Sequence, residues 1–430
     1  MSRQISISAG GLALAVACLC APAMQGQQLA VSGLHLSRQQ AIKEAIAHNP
    51  AITAAREQVA QAKAGITIAT AFPDPSLVTE IDQEKSFFNP RSGSERDLGI
   101  QFTVPYPYRT RLNGRIARGG WQAAQYALTQ LQQQIAAQTA QAYDSVQVAV
   151  RHRDDLTQSK GISAQFVEKT QARFQAGTVP KLDTIKAKVD LAKTENALIA
   201  NERMIATSHS ALNHLLGRGM DTMLEAIDPL EISGVVPDVG TLDQLAAASR
   251  PELQSLRVQR ASAHDSTKLA KQYWVPDLNL TLWRSQIDGA PNSYKFDGGI
   301  TLPLFFWEHH KGQIEQAEHH EQELNATERD LFSQVMLDVR NSQATAATAW
   351  RQAVFLRDQL LPAAHEEFDI TFKSYAAGGS SALDLLDAKS TLLDAESQYT
   401  DALGALNDAL ADLERAVGAP LTTITLRTLP

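Results

Sequence analysis

The sequence predicts a mainly α-helical protein with a small β part, built as a duplicated helix-strand-strand-helix-helix unit. Three observations predict it. First, the chain repeats its punctuation at an offset of about 200 residues, which marks a duplicated structural unit. Pro50 recurs as Pro251, Pro75 as Pro276, Pro105 as Pro303, Gly114 as Gly312, Gly177 as Gly378, Leu182-Asp183 as Leu383-Asp384, and Gly217 as Gly418. Second, long proline-free segments carry heptad-spaced apolar residues, the pattern of helices packed side by side. Third, two short stretches in each copy switch to a period of two, the signature of a half-exposed strand.

Composition narrows the class. The chain has 430 residues, a net charge of −8 and only 6% aromatic residues. No basic stripe appears, which argues against nucleic acid as a partner. Abundant Ala and Gln suit long helices in close contact.

The elements follow in order. Arg3, the apolar run Gly11 to Leu19 and Ala21-Pro22-Ala23 read as an export signal over residues 1–23. Cys18 and Cys20 both lie inside it, so cleavage after Ala23 leaves no thiol. Lipid attachment at Cys18 is the alternative, although Ala15 stands where such sites usually carry Leu. An extension over 24–36 precedes the first repeat, 37–219; a linker over 220–240 separates it from the second, 241–419, and a tail covers 420–430. Ser37 is expected to cap a first helix running to about Ala71. Strands are expected at about 75–85 and 97–105, where Ile100, Phe102 and Val104 share one face and Gln101 and Thr103 the other. Their counterparts fall at about 277–286 and 295–304, in Leu278-Asn279-Leu280-Thr281-Leu282 and Gly299-Ile300-Thr301-Leu302-Pro303.

No proline occurs between Thr110 and Arg173, so one helix there would reach about 96 Å. Gly161 in one copy and Pro362 in the other stand as helix breakers at matching places. The last helix of each copy carries a seven-residue comb: Leu191, Leu198, Ile205 and Leu212, then Leu392, Tyr399, Leu406 and Leu413.

Beyond the signal no segment approaches the ~18 apolar residues of a membrane helix. Entry into a bilayer would have to use β-strands. Four strands cannot close a barrel, since about eight is the smallest number that does. The chain must therefore oligomerise, or its strands form a small open sheet. Aromatics flank the helix-side end of every strand: Phe72, then Tyr106 and Tyr108, then Tyr273 and Trp274, then Phe305, Phe306 and Trp307. That placement fits an interfacial girdle.

Taken together these residues resemble the TolC-type outer-membrane efflux channels, in particular the CzcC/CusC-like metal-efflux branch. The resemblance covers essentially the whole mature chain. It rests on the duplication, on Arg173-Phe174-x-x-Gly177-x-x-Pro180-x-Leu182-Asp183, and on Tyr375-x-x-Gly378-x-x-x-x-Leu383-Asp384-Leu385-Leu386-Asp387-Ala388. It implies a homotrimer whose three chains build a 12-stranded outer-membrane barrel continued by a helical tunnel across the periplasm. It further implies a periplasmic adaptor, an inner-membrane pump of the RND type, contact with outer-membrane lipid, no cofactor and no catalytic step.

The resemblance also assigns roles. Gly177, Thr178, Val179, Pro180, Gly378, Gly379 and Ser380 become tips that touch the adaptor. Asp384 and Asp387, three apart on one helical face, become a ring at the constriction, with Asp183 expected to pair with Tyr375. The plain alternative is that the two aspartates offset the helix dipole. An arginine that locks some members closed is replaced here by Ser380. His309, His310, His319 and His320 invite a metal reading, but residues ten apart lie about 15 Å apart on a helix and cannot share one ion. A solvated face explains them, and no metal site is assigned. A poreless exported coiled-coil scaffold is the rival class. No nucleophile elbow, phosphate loop or zinc pattern supports an enzyme. Cargo is not encoded in these motifs.

Overall fold

A computed structural model of the protein describes residues 34–82, 95–232, 236–272, 274–287, 290–300 and 309–421. The signal segment with Cys18 and Cys20, Tyr273, Phe305, Phe306, Trp307, the side chain of His309 and most of the tail lie outside the described residues.

The first repeat opens with a short strand β1 (Leu34–Leu36) and helices α1 (Arg38–His48) and α2 (Pro50–Thr70). Ser37 caps α1 through a reciprocal capping box with Gln40. The single first helix expected from Ser37 to Ala71 is in fact two. Asn49 leaves helical angles at φ −62°, ψ 127°, and its side chain caps the amide of Ala51. Pro50 then starts α2 at a position where its missing N–H costs nothing. The second repeat makes the same break between α5 (Val239–Ser249) and α6 (Pro251–Ala270), at Arg250 and Pro251.

Strands β2 (Ser76–Asp82) and β3 (Glu95–Val104) follow α2, and β5 (Leu278–Ile287) and β6 (Ser293–Ile300) follow α6. They form one antiparallel sheet in the order β2-β3-β5-β6, with the central pair Gln101↔Thr281 joining the two repeats. The register places Leu77, Ile100, Leu282 and Phe296 in one line across the sheet, all exposed. Gln101, Thr103, Asn279 and Thr281 lie on the opposite face. Both outer strands, β2 and β6, have an unpaired edge among the described residues.

Helix α3 (Pro107–Gln175) is an unbroken run of 69 residues, about 100 Å long. Gly161 sits inside it without interrupting it. In the second repeat the same span is α7 (His309–Phe355), a π-turn (Leu356–Leu360) and α8 (Leu361–Ala377). The breaker expected at Pro362 is absorbed there. Proline offers no N–H and its ring crowds the carbonyl four residues back, and the wider turn makes room for it. Each repeat ends in a 36-residue helix, α4 (Lys181–Leu216) or α9 (Ala382–Val417).

The duplication extends into the packing. Ala41, Ala45, Ile52, Leu212 and Leu216 are buried together, and their counterparts Leu242, Ala246, Leu253, Leu413 and Val417 are buried together in the second repeat. Burial of the combs differs between repeats. Leu392, Leu406 and Leu413 on α9 are buried, because α9 lies between α3 and α7. On α4 only Leu212 is fully buried, because α4 has α3 along one side and touches α9 little.

Two features were not foreseen. β1 pairs in parallel with a short strand β4 (Leu224–Ala226), inside the segment read as a linker. Tyr143 and Gln147 of α3 bond to Asp228 just beyond it, which ties that segment down. Among the described residues no helix is long and apolar enough to cross a membrane.

Candidate functional site

The functional geometry lies at the two ends of the helices. At one end the chain reverses twice, from α3 to α4 and from α8 to α9. Each reversal needs a residue in the left-handed region, and glycine supplies it: Gly177 at φ 72° and Gly378 at φ 87°. Backbone bonds close the turns, from Thr178 N to Arg173 O at 2.9 Å and from Gly379 N to Ser374 O at 2.9 Å. Pro180 stands just before α4 and Ser381 just before α9. The tip residues Gly177, Thr178, Pro180, Gly378 and Gly379 are therefore turn residues, with Val179 between them, and Ser380 hydrogen-bonds to Ser374.

Arg173 fastens one tip to the other. It donates to the carbonyl of Tyr375 at 2.9 Å and lies 4.9 Å from the centre of the Tyr375 ring. Tyr375 is buried, edge-on to Phe166, with its hydroxyl 3.3 Å from Thr170 Oγ1. Within one protomer Tyr375 thus meets Thr170 rather than Asp183. Asp183 is half-buried in the first turn of α4.

Asp384 and Asp387 are both exposed on the first turns of α9. Asp384 closes a capping box. Its carboxylate accepts from Ser381 N at 2.9 Å, while Ser381 Oγ accepts from Asp384 N at 3.2 Å. The bond from the Ser381 amide holds the Asp384 carboxyl below its ordinary value. Asp384 therefore has a structural task, and the second aspartate, Asp387, is left to face solvent.

One turn further along α9, buried Lys389 joins three helices. Its ammonium donates to Asp190 at 2.7 Å and Thr194 at 3.3 Å on α4, and to Ser163 on α3. Ser163 donates in turn to Asp190 at 2.7 Å. Sequence reasoning missed this knot, because a lysine two residues from an aspartate reads as a solvated helix face.

At the other end the helices meet the sheet. Phe72, Tyr106, Tyr108 and Trp274 are exposed where strands join helices, and the Tyr106 and Tyr108 rings lie 6.4 Å apart. Arg109 of α3 clasps the other repeat at this junction, reaching Asp277 at 2.7 Å and Val275 O at 2.6 Å, while Tyr106 N donates to Asp277 at 3.0 Å. Arg109 and Asp277 carried no signal in the sequence beyond their place next to the flanking aromatics. No metal-ligand set of three His, Cys, Asp or Glu side chains forms among the described residues. His320 pairs with Glu323 at 3.1 Å, as a solvated helix face would.

The sequence matches the family described as Outer membrane efflux protein twice, over residues 41–218 and again over 242–419. The chain belongs to this family. The outer-membrane efflux proteins are channels rather than enzymes, and this member is an outer-membrane efflux channel. It is similar to the cobalt-zinc-cadmium resistance protein CzcC of Cupriavidus metallidurans, 26% identical over 369 residues, covering 83% of this chain and 84% of that protein. Its fold is that of solved outer-membrane channels. CusC superposes with a TM-score of 0.77 at 18% identity, covering 89% of this chain and 92% of that one. VceC of Vibrio cholerae gives 0.75 at 18% identity over 89% and 96% of the two chains. The open state of MtrE of Neisseria gonorrhoeae gives 0.75 at 19% identity over 89% of each. In this efflux channel the sheet is the barrel portion and the long helices are the tunnel portion.

Proposed function

We propose that three copies of this efflux channel close into a 12-stranded barrel and a continuous helical tunnel, the exit duct of a tripartite system that expels heavy-metal cations. The observation that carries this reading is the incompleteness of the single chain. Among the described residues the sheet has four strands, an apolar outer face, a polar inner face and two bare edges, β2 and β6. Apolar residues remain exposed along the outer helices: Ile185, Val189 and Ile199 on α4, and Phe332, Leu337 and Phe355 on α7. Edge-to-edge pairing of β2 with β6, and α4 against α7, satisfies both sets at once.

In this arrangement the tunnel spans the periplasm, and Gly177, Thr178, Val179, Pro180, Gly378, Gly379 and Ser380 meet the periplasmic adaptor. An inner-membrane pump of the RND type loads the tunnel. Asp384 and Asp387, with Asp183, line the mouth above the buried Tyr375, and three copies of the aspartate pair set six carboxylates about one axis. Crowded carboxylates favour cations over anions and hold multivalent ones. Cobalt, zinc or cadmium as cargo is supported by the name of the CzcC relative.

The test is electrical. The purified protein in a planar lipid bilayer should form pores with the mass of a trimer. D384N with D387N should raise conductance and weaken block by divalent cations, since asparagine keeps the cap and removes the charge. Pores whose conductance and block ignore that double substitution would exclude the gate. Protein that stays monomeric and forms no pore would exclude the duct.

A further inference from the structure

The duct reading places a second group of charges inside the barrel, far from the tips. On the inner face of the sheet, at the hairpin end remote from the helices, the register brings Glu80 opposite Asp97 and Trp283 opposite Lys295. Glu95 and Asp297 lie on the same face by the alternation of their strands. Among the described side chains, four carboxylates and one ammonium therefore share the wall. Lys295 reaches from β6 across β5 to β3, pairing with the buried carboxylate of Asp97 and lying 3.8 Å from Glu95. Glu95 also accepts from Ser285 at 2.9 Å.

The indole of Trp283 holds this group in place. Its ring lies so close over Gly99 that a Cβ there would stand 2.5 Å from it, and its N–H donates to Asp297. Lys295 is 6.0 Å from the ring centre. Asp97 is 5% exposed, yet its Oδ1 is buried with no hydrogen-bond partner. That is an acceptor left open beside a cation that serves only its other oxygen.

We propose that Lys295 is a tethered counter-cation that sets the ionic selectivity of the outer opening of the duct, a specificity-determining residue separate from the tip aspartates. The inference rests on the duct reading, because only closure makes this face the lumen. With Lys295 present, the described side chains of this face give each protomer one positive and four negative groups at the opening. Without it the oxygens of Glu95 and Asp97 face the lumen uncompensated, an all-oxygen set suited to hard divalent cations such as calcium. The ammonium thus keeps the exit from trapping the cations that the tunnel delivers.

The experiment compares wild type, K295M, K295R and D97N as pores in planar bilayers, with calcium chloride as probe on either side. K295M should raise the cation-to-anion permeability ratio about twofold, and calcium on the hairpin side should block at an about tenfold lower concentration. K295R should restore the wild-type ratio, and D97N should lower it. Sidedness separates this site from the tips, where D384N with D387N acts on block from the opposite face. K295M pores with wild-type selectivity and block overturn the proposal. If K295M fails to insert, D97N pores with an unchanged ratio overturn it. Wild-type protein without pores overturns the duct itself, a different result from either.

Discussion

Asp408 shows how far a single side chain departs from its ordinary chemistry in a packed helix bundle. It lies on α9, half-buried, with Oδ1 buried and unbonded. Burial, then the nearby carboxylates Asp144 and Asp412, push its carboxyl up to about 6 against the opposing pull of Arg38. The folded state therefore holds this proton more tightly than the unfolded chain, whose carboxyl titrates near about pH 4. Stability is favoured at low pH and falls as pH rises through that interval, so that at neutral pH the full penalty of a buried carboxylate applies. D408N should raise Tm at neutral pH and leave it unchanged near about pH 4, read by thermal unfolding across a pH series. Asp384 runs the other way. Its carboxyl is held low by the Ser381 amide, so its capping contribution is present above the ordinary carboxyl range and is lost as pH falls through the depressed value. At this scale the sequence marked residues whose bonds within the protomer only the fold supplies. The Asp384–Asp387 spacing was legible, while Asp384's commitment to a cap depended on Ser381 adopting extended angles. Tyr375 stood out in the motif, but its partner is set by which residue of α3 lies across from it, and that is Thr170.

Among the elements, the knot at Lys389 matters most for how the helices hold one another. α4 packs along α3 and barely meets α9, so Lys389 is its polar bond to that helix. The ammonium is 7% exposed and Asp190 20%. K389M strips the cation from a largely buried carboxylate and should cost about 3 kcal/mol. K389M with D190L should recover most of that loss, because an apolar pair of similar volume replaces both charges. Denaturant unfolding of the detergent-solubilised protein measures both. The elements themselves were largely readable in advance, since heptads, alternation and proline are local signals. Where reading failed, the cause was local too. Asn49 and Arg250 adopt extended angles ahead of a proline, which breaks each opening helix into two. Pro362 did the reverse and was carried through, because a π-turn accommodates it within a helix already held by its neighbours. The β1–β4 pair escaped notice because three-residue strands about 190 residues apart leave no periodic trace.

For the whole molecule, the sheet decides where the protein can live. Leu282 lies mid-sheet on the outer face, opposite Ile100 on one side and Phe296 on the other, and it is 53% exposed. L282K places an ammonium on the lipid face and should cost roughly 2–4 kcal/mol of membrane insertion. T281K, one residue earlier on the polar face, should insert normally. Recovery of heat-stable oligomer from the outer-membrane fraction distinguishes them. Equal loss for both variants would show that the two faces do not differ in environment.

By itself the sequence determined the repeat, the helix and strand types, the apolar and polar faces and the membership in a channel family. Each is written in periodicity and punctuation along the chain. Only the tertiary structure decided which helix is enclosed and which is left bare, what Tyr375 and Lys389 touch, and that Lys295 crosses a strand to reach Asp97. Those outcomes come from residues far apart in sequence meeting at close range. Their partners are chosen by register and burial, which no local pattern records.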